Sequence, residues 1–190
     1  MIELNLELGL YNLWSFLAVG YGLIWALMIF ANRKRGCPIE DPEFYKSPSG
    51  KKCGTINKVH LLVVFLVCLL TPINFDSSLF WFGFSFYSIG IILNVVAMYS
   101  FTVITEGVNT TGIYRYSRNP MYLGASFFYV GLCLMGWMIS VSGILLVVIV
   151  IWWLVLSHHA ILLEESFLEK KYGELFLRYK KNVPRYFLFL

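Results

Sequence analysis

The chain has 190 residues, 58% of them hydrophobic and only 14% charged, with a formal net charge of +4. That balance lies far from an ordinary soluble domain, and the length leaves no room for a separate soluble catalytic domain beside the apolar runs. The fold class read from it is an all-α integral membrane protein, with the positive charge reflecting topology and attraction to anionic lipid rather than nucleic-acid binding.

In chain order, the first apolar run covers residues 8–31 without a charged residue, more than the roughly 20 residues a helix needs to cross the hydrocarbon core. Its amino flank, MIELNLE, has two acids and no base, so it does not read as a cleavable signal. Residues 32–57 hold three prolines, three glycines and mixed charge, which reads as a loosely folded or mobile connector. Further runs cover residues 59–75, 79–105, 121–138 and 140–163, giving about five transmembrane helices. The last two are joined by a few residues near Trp137 and form a helical hairpin. Beyond them, Ile161, Leu168, Tyr172, Leu175 and Tyr179 recur at helical spacing. They predict a C-terminal amphipathic helical tail lying against the interface, with Gly173 as its break. No internal repeat supports an inverted-repeat transporter.

The basic residues fix an orientation. Seven lie between Arg33 and Lys58, two are Arg115 and Arg118, and six lie between Lys170 and Arg185, which accounts for all fifteen. Five spans put the three groups on one face and leave Glu3, Glu7 and Asp76 on the other. The expectation is an amino terminus outside, with the basic loop and carboxyl terminus cytoplasmic. Cys37, Cys53, Cys68 and Cys133 show no C-x-x-C spacing and are expected as free thiols. With three histidines and no H-x-x-H or H-E-x-x-H pattern, no metal site is expected.

Two features carry chemistry. The first is YRYSRNPMYLG, from Tyr114 to Gly124. Pro120 suits a first helical turn, and Asn119 before it suits a cap, so the fourth span starts here. The unpaired N–H groups near Met121 and Tyr122 attract anions, and Arg115 and Arg118 add positive charge on the same approach. One reading is a membrane-surface anchor of tyrosine and arginine. The other is a grip on a small polar ligand.

The second feature is Glu164-Glu165, at the inner end of the fifth span and preceded by His158-His159. A carboxylate near the bilayer centre costs on the order of 2.5–3.5 kcal/mol on insertion scales and less near the surface. The pair is therefore either a headgroup-level collar matched to Arg115 or Arg118, or part of a site. His158 and Glu165 are seven apart and share a helical face. Glu106, with Gly107 and Gly112 following, adds a third acid at this face and glycines that permit close backbone approach. Acids for hydroxyls, a helix end for a carboxylate and tyrosines for a purine together suit a zwitterionic nucleoside-like ligand.

The pattern G-x-Y-R-x-x-R-N-P-x-Y-x-G at residues 112–124 resembles the signature of the isoprenylcysteine carboxyl methyltransferase and phospholipid methyltransferase superfamily. Glu164-Glu165, Tyr172-Gly173, Tyr179 and Val183-Pro184-Arg185 follow in the family's order and spacing. The resemblance covers residues 105–190 and is most similar to compact prokaryotic members, which implies residence in a prokaryotic cell membrane. It implies S-adenosylmethionine as cofactor, bound by Glu106, Val108, Asn109, Tyr114, Asn119, Pro120, Met121, Tyr122 and Glu164 or Glu165. Arg118 and Glu165 are the expected catalytic residues, the first orienting a carboxylate and the second holding ribose or amine. Residues 1–104 would be a three-helix membrane region, and 105–190 the catalytic part of one compact unit. Two departures stand out: Asn119 occupies the usual histidine position, and no arginine lies one turn before the acidic pair. The expected activity is methyl transfer to a lipophilic or prenylated acceptor, most like isoprenylcysteine carboxyl O-methylation. The alternatives are phospholipid amine N-methylation and a non-enzymatic membrane scaffold or permease subunit. No soluble-type dinucleotide fingerprint is present.

Overall fold

The computed structural model describes residues 8–9, 11–36, 41–102, 107–137 and 140–187. Among the described residues seven α-helices follow in chain order: α1 (Trp14–Arg35), α2 (Pro42–Lys46), α3 (Pro48–Leu69), α4 (Ser78–Phe101), α5 (Pro120–Met135), α6 (Val141–Tyr172) and α7 (Glu174–Asn182). A 3-10 turn, Gly112–Arg115, precedes α5. Helices α1, α3, α4 and α6 are long and apolar enough to cross a membrane. The apolar α5 has 16 residues, about 24 Å at the usual rise per residue, and completes the expected set of about five.

The helix ends follow local chemistry. Ser77 and Ser140 cap α4 and α6 by accepting from Leu79 N at 3.2 Å and Gly143 N at 3.3 Å. Gly36, at φ 77°, ends α1 in the left-handed region. Within the stretch expected as a loose connector, residues 42–46 and 48–57 are helical. Asp41 accepts from Glu43 N at 2.9 Å and Ser47 from Gly50 N at 3.1 Å, each followed by a proline at the first helical position. These two cap-proline pairs start α2 and α3, so α3 begins well before its apolar run.

The bundle is organised around α4 and α5. A methyl group at Gly90 would lie 2.5 Å from Phe128 N, one at Gly131 2.4 Å from Tyr87 N, and one at Gly83 2.7 Å from Met135 N. The two backbones therefore touch through glycines spaced seven apart on each helix, the small-residue packing expected where lipid supplies no hydrophobic drive. Helix α5 follows directly into α6 as the expected consecutive pair, but its closest packing is against α4. Aromatic rings fill the centre: Tyr87 donates to Phe16 O at 2.8 Å, and the Tyr87–Phe128 and Tyr129–Trp153 centroids lie 5.0 Å and 4.8 Å apart. At the far end, Asn12 Nδ2 reaches Leu69 O at 2.8 Å and ties α1 to the α3–α4 link.

Gly173, at φ 54°, ends α6 and starts α7. The break resets the helical register. Phe176 and Tyr179 turn inward while Leu175 is exposed, so the expected face is corrected by one residue at that position. Among the described residues Cys53, Cys68 and Cys133 are free and no metal-binding cluster occurs; Cys37 lies outside them.

Candidate active site

The mouth of α5 is assembled from the tail. Arg118 donates through Nε to Glu165 Oε1 at 3.1 Å and through Nη1 to the carbonyls of Lys180 at 2.7 Å and Val183 at 2.6 Å. Its backbone N–H reaches Pro184 O at 3.0 Å. Ser117 Oγ donates to Arg185 O at 3.2 Å. Tyr179 donates to Tyr114 O at 2.7 Å, fastening α7 to the 3-10 turn.

Glu165 is the hub. It is 3% exposed and accepts from Arg118, from Asn119 Nδ2 at 3.3 Å, and from Arg185 Nε and Nη2 at 3.2 Å and 2.9 Å on Oε2. Two guanidinium groups and an amide thus surround one carboxylate, so its burial is compensated on both oxygens. The hydrogen bonds to Glu165 in turn push the Arg185 pKa up. The expected pairing of the acidic pair with Arg118 is present; Arg115 is not part of it.

Asn119 departs from its expected role. Its side chain makes no cap bond to α5; Nδ2 turns instead to Glu165 and to Arg185 O at 3.3 Å. A cap would need the amide turned so that Oδ1 accepts from the first-turn N–H groups, whereas here the amide is oriented by the two bonds that Nδ2 donates, and proline at the first position removes one N–H of that turn. Pro120 itself is buried as the start of α5 and is not a wall of the cavity.

Glu164, one position along α6, points elsewhere. It accepts the Tyr122 hydroxyl at 2.7 Å. Both acids border a cavity of about 760 Å³, within the roughly 300–1,000 Å³ range of small-molecule sites. Val108, Asn109, Tyr114, Arg118, Asn119, Met121 and Tyr122 line it too, so the structure brings these sequence-predicted residues together. Glu106 lies outside the described residues. The cavity extends along α1 from Arg35 to Tyr21, past Asn94 and Met98 of α4, and is covered on one side by α2. At its deep end the hydroxyls of Tyr21 and Tyr129 pair with each other.

Two polar atoms on this wall have no partner. Asn109 Nδ2 and the Tyr114 hydroxyl are buried without a hydrogen bond, on residues 6% and 5% exposed. Asn109 spends its other atom, Oδ1, on Thr111 N at 3.0 Å. Burial and the nearby Tyr179 and Glu164 hold the Tyr114 pKa well above the ordinary tyrosine value, so it stays a donor. Leaving a buried donor unsatisfied costs about 1–3 kcal/mol, and two of them on residues lining one cavity are what a bound polar ligand would explain.

The sequence model for phospholipid methyltransferases matches residues 77–175, slightly more than half the chain, including the whole motif and both glutamates. The chain belongs to the phospholipid methyltransferase family. No curated protein and no solved structure matches it. Within this family of membrane methyltransferases, the matched stretch ends at Leu175, so Arg185 and the tail carbonyls that hold Arg118 come from beyond it. Asn94, Phe44 and Tyr21 were also not anticipated as site residues. Asn94 had a signal, being a buried polar residue inside an apolar helix.

His158 and Glu165 share a face as expected, and both meet the tail: His158 Nδ1 lies 2.8 Å from the Tyr186 hydroxyl while Glu165 binds Arg185.

Proposed function

We propose that this membrane methyltransferase uses S-adenosylmethionine and acts on a lipophilic acceptor in the inner leaflet. The observation that carries the cofactor assignment is the pair of unpartnered donors, Asn109 Nδ2 and Tyr114 OH, on a cavity that also has Glu164 and the open first turn of α5 at its wall. Carboxylates accept ribose hydroxyls, the α5 end and the two donors suit a carboxylate or a purine edge, and the tyrosines supply stacking faces. When bound, the cofactor supplies an electrophilic methyl group on a sulfonium.

The chain's own residues then do three things. Tyr122, Glu164, Asn109 and Tyr114 hold and orient. Arg118, Glu165 and Arg185 keep the tail closed over the mouth, which makes Arg118 and Glu165 positioning residues. The aromatic deep end excludes water. Alignment of two reactants can supply several kcal/mol of barrier reduction, up to roughly 7–11 in ideal cases.

The sequence pointed first to an isoprenylcysteine-type carboxylate acceptor, with Arg118 orienting it. A specific observation favours the amine headgroup of a phospholipid instead: Arg118 spends Nε and Nη1 on Glu165 and the tail carbonyls. An amine attacks only when unprotonated, so this reading needs a proton acceptor beside the headgroup in addition to the residues that hold the cofactor. The acceptor's apolar chain enters sideways from lipid, and the cofactor enters from the cytoplasm, where the basic groups of α1, α3 and the tail lie under the expected orientation.

The test has two stages. Calorimetry of the purified protein with S-adenosylhomocysteine is expected to give saturable binding, and its absence would leave the scaffold reading. Radiolabelled methyl donor with phosphatidylethanolamine and with a prenylcysteine then reports which acceptor takes the label.

A further inference from the structure

We propose that Lys171 is a positioning residue that latches α2 across the aqueous mouth of the cavity, so that exchange with water is set by this one ion cluster. The Lys171 ammonium lies 2.7 Å from Asp41 Oδ2 and 2.7 Å from Glu43 Oε2, joining two turns of chain 130 and 128 residues apart. Both carboxylates sit on the first turn of α2, and Asp41 also caps it. Lys171 additionally lies 5.7 Å from the Phe167 ring centroid. Beneath the ion cluster, Phe44 of α2 is buried at 3% exposure with its ring edge-on to Phe167, 5.5 Å between centroids.

On its other side α2 cannot move alone. Ser47 donates to Phe44 O at 2.6 Å and caps α3 through Gly50 N. Gly50 itself sits so close that a methyl group there would be 2.1 Å from Phe44 O. Helix α2 and the first turn of α3 therefore form one stiff elbow, which Phe44 and Lys171 join to α6.

The side chains of Lys171, Asp41 and Glu43 are 30%, 23% and 69% exposed. Ion pairs this open to water are individually weak and screened by salt. A weak, exposed latch over a buried ring suits a strap that opens and shuts rather than a permanent weld. The inference rests on the cavity and its cover, not on which molecule the cavity holds.

The test uses the full chain in detergent with Asn57, a cavity-lining residue, changed to cysteine, and with Cys37→Ser and Cys53→Ser removing the competing thiols. The probe is an uncharged, hydrophilic methanethiosulfonate reagent added from water, so that its own approach does not depend on salt or on the charge of the variants. Lys171→Met is expected to speed labelling by about fivefold, the size of a surface ion cluster of roughly 1 kcal/mol. High salt should speed the parent to the same rate without affecting Lys171→Met. Lys171→Arg should restore slow labelling, as should the reversed set Asp41→Lys, Glu43→Lys and Lys171→Glu. Parent-rate labelling of Lys171→Met would overturn the latch, and so would fast labelling that neither restoring variant slows. Dissociation of S-adenosylhomocysteine should accelerate in parallel. If no variant or parent binds that compound, the cofactor assignment falls while the labelling rates still decide the latch.

Discussion

Arg118 and Glu165 meet at 3.1 Å across 47 residues of sequence, and both are nearly buried, at 8% and 5% side-chain exposure. That contact joins the start of α5 to α6, about two turns before the end of α6, at a level where the tail also arrives.

Removing Glu165 strands two guanidinium groups. Breaking a buried pair by deleting one partner costs about 3–5 kcal/mol, so Glu165→Ala should lower the melting temperature in detergent markedly and cut methyl transfer at least tenfold. Arg118→Ala should do the same to activity with a smaller loss of stability, because Arg185 still neutralises Glu165. Melting curves beside a labelled-methyl assay separate the two effects. An unaltered melting temperature in Glu165→Ala would contradict the structural role given to it.

The neighbouring acid should behave in the opposite way. Glu164→Gln keeps a partner for Tyr122 and leaves the bonds between Glu165 and both arginines in place, so thermal stability should fall much less than in Glu165→Ala. Affinity for S-adenosylhomocysteine should fall tenfold or more. Tyr122→Phe, losing one hydrogen bond of about 1 kcal/mol, should weaken binding by roughly fivefold. Titration calorimetry on the three proteins measures this ordering.

Tyr114→Phe offers a test with opposed signs. Deleting a buried hydroxyl without a partner should leave the ligand-free protein as stable as the parent or up to about 1 kcal/mol more stable. The stabilisation conferred by S-adenosylhomocysteine should shrink. Were the hydroxyl structural, the ligand-free protein would lose stability instead.

The α4–α5 contact predicts a steric series. Gly90→Ala and Gly131→Ala place a methyl against backbone at 2.5 Å and 2.4 Å and should cost about 1–3 kcal/mol or more by overpacking, seen as a lower melting temperature or loss of the monodisperse peak. Gly22→Ala, with nothing within 4 Å, is the matched control and should behave as the parent.

Much of this was legible before any coordinates. The start of α5 at Pro120, the break at Gly173 and the meeting of Arg118 with the acidic pair all follow from residue types whose backbone or charge needs admit few solutions. The misreadings share a cause as well. Asn119 before Pro120 reads as a cap, but a carboxylate and a carbonyl brought in by tertiary structure take the bonds its Nδ2 donates and set the orientation of the amide. Helix α2 was overlooked because prolines at 42 and 48 read as breakers; with Asp41 and Ser47 before them they are initiators. The α4–α5 contact was written plainly, as Gly83 and Gly90 on one helix and Gly124 and Gly131 on the other, but a seven-residue step of small residues becomes a contact only once two helices are known to be neighbours. Arg185 is part of the recognisable Val183-Pro184-Arg185 ending, but nothing local pairs it with Glu165, which lies 20 residues away beyond a helix break.

The tail meets the mouth of α5 through the carbonyl oxygens of Lys180, Val183, Pro184 and Arg185. Four of its handholds are therefore parts that every amino acid possesses. What Ser117, Arg118 and Asn119 recognise there is a contour, not a spelling. Spelling enters at the two ends of the segment, where the Lys180 and Arg185 side chains pair with Glu169 and Glu165.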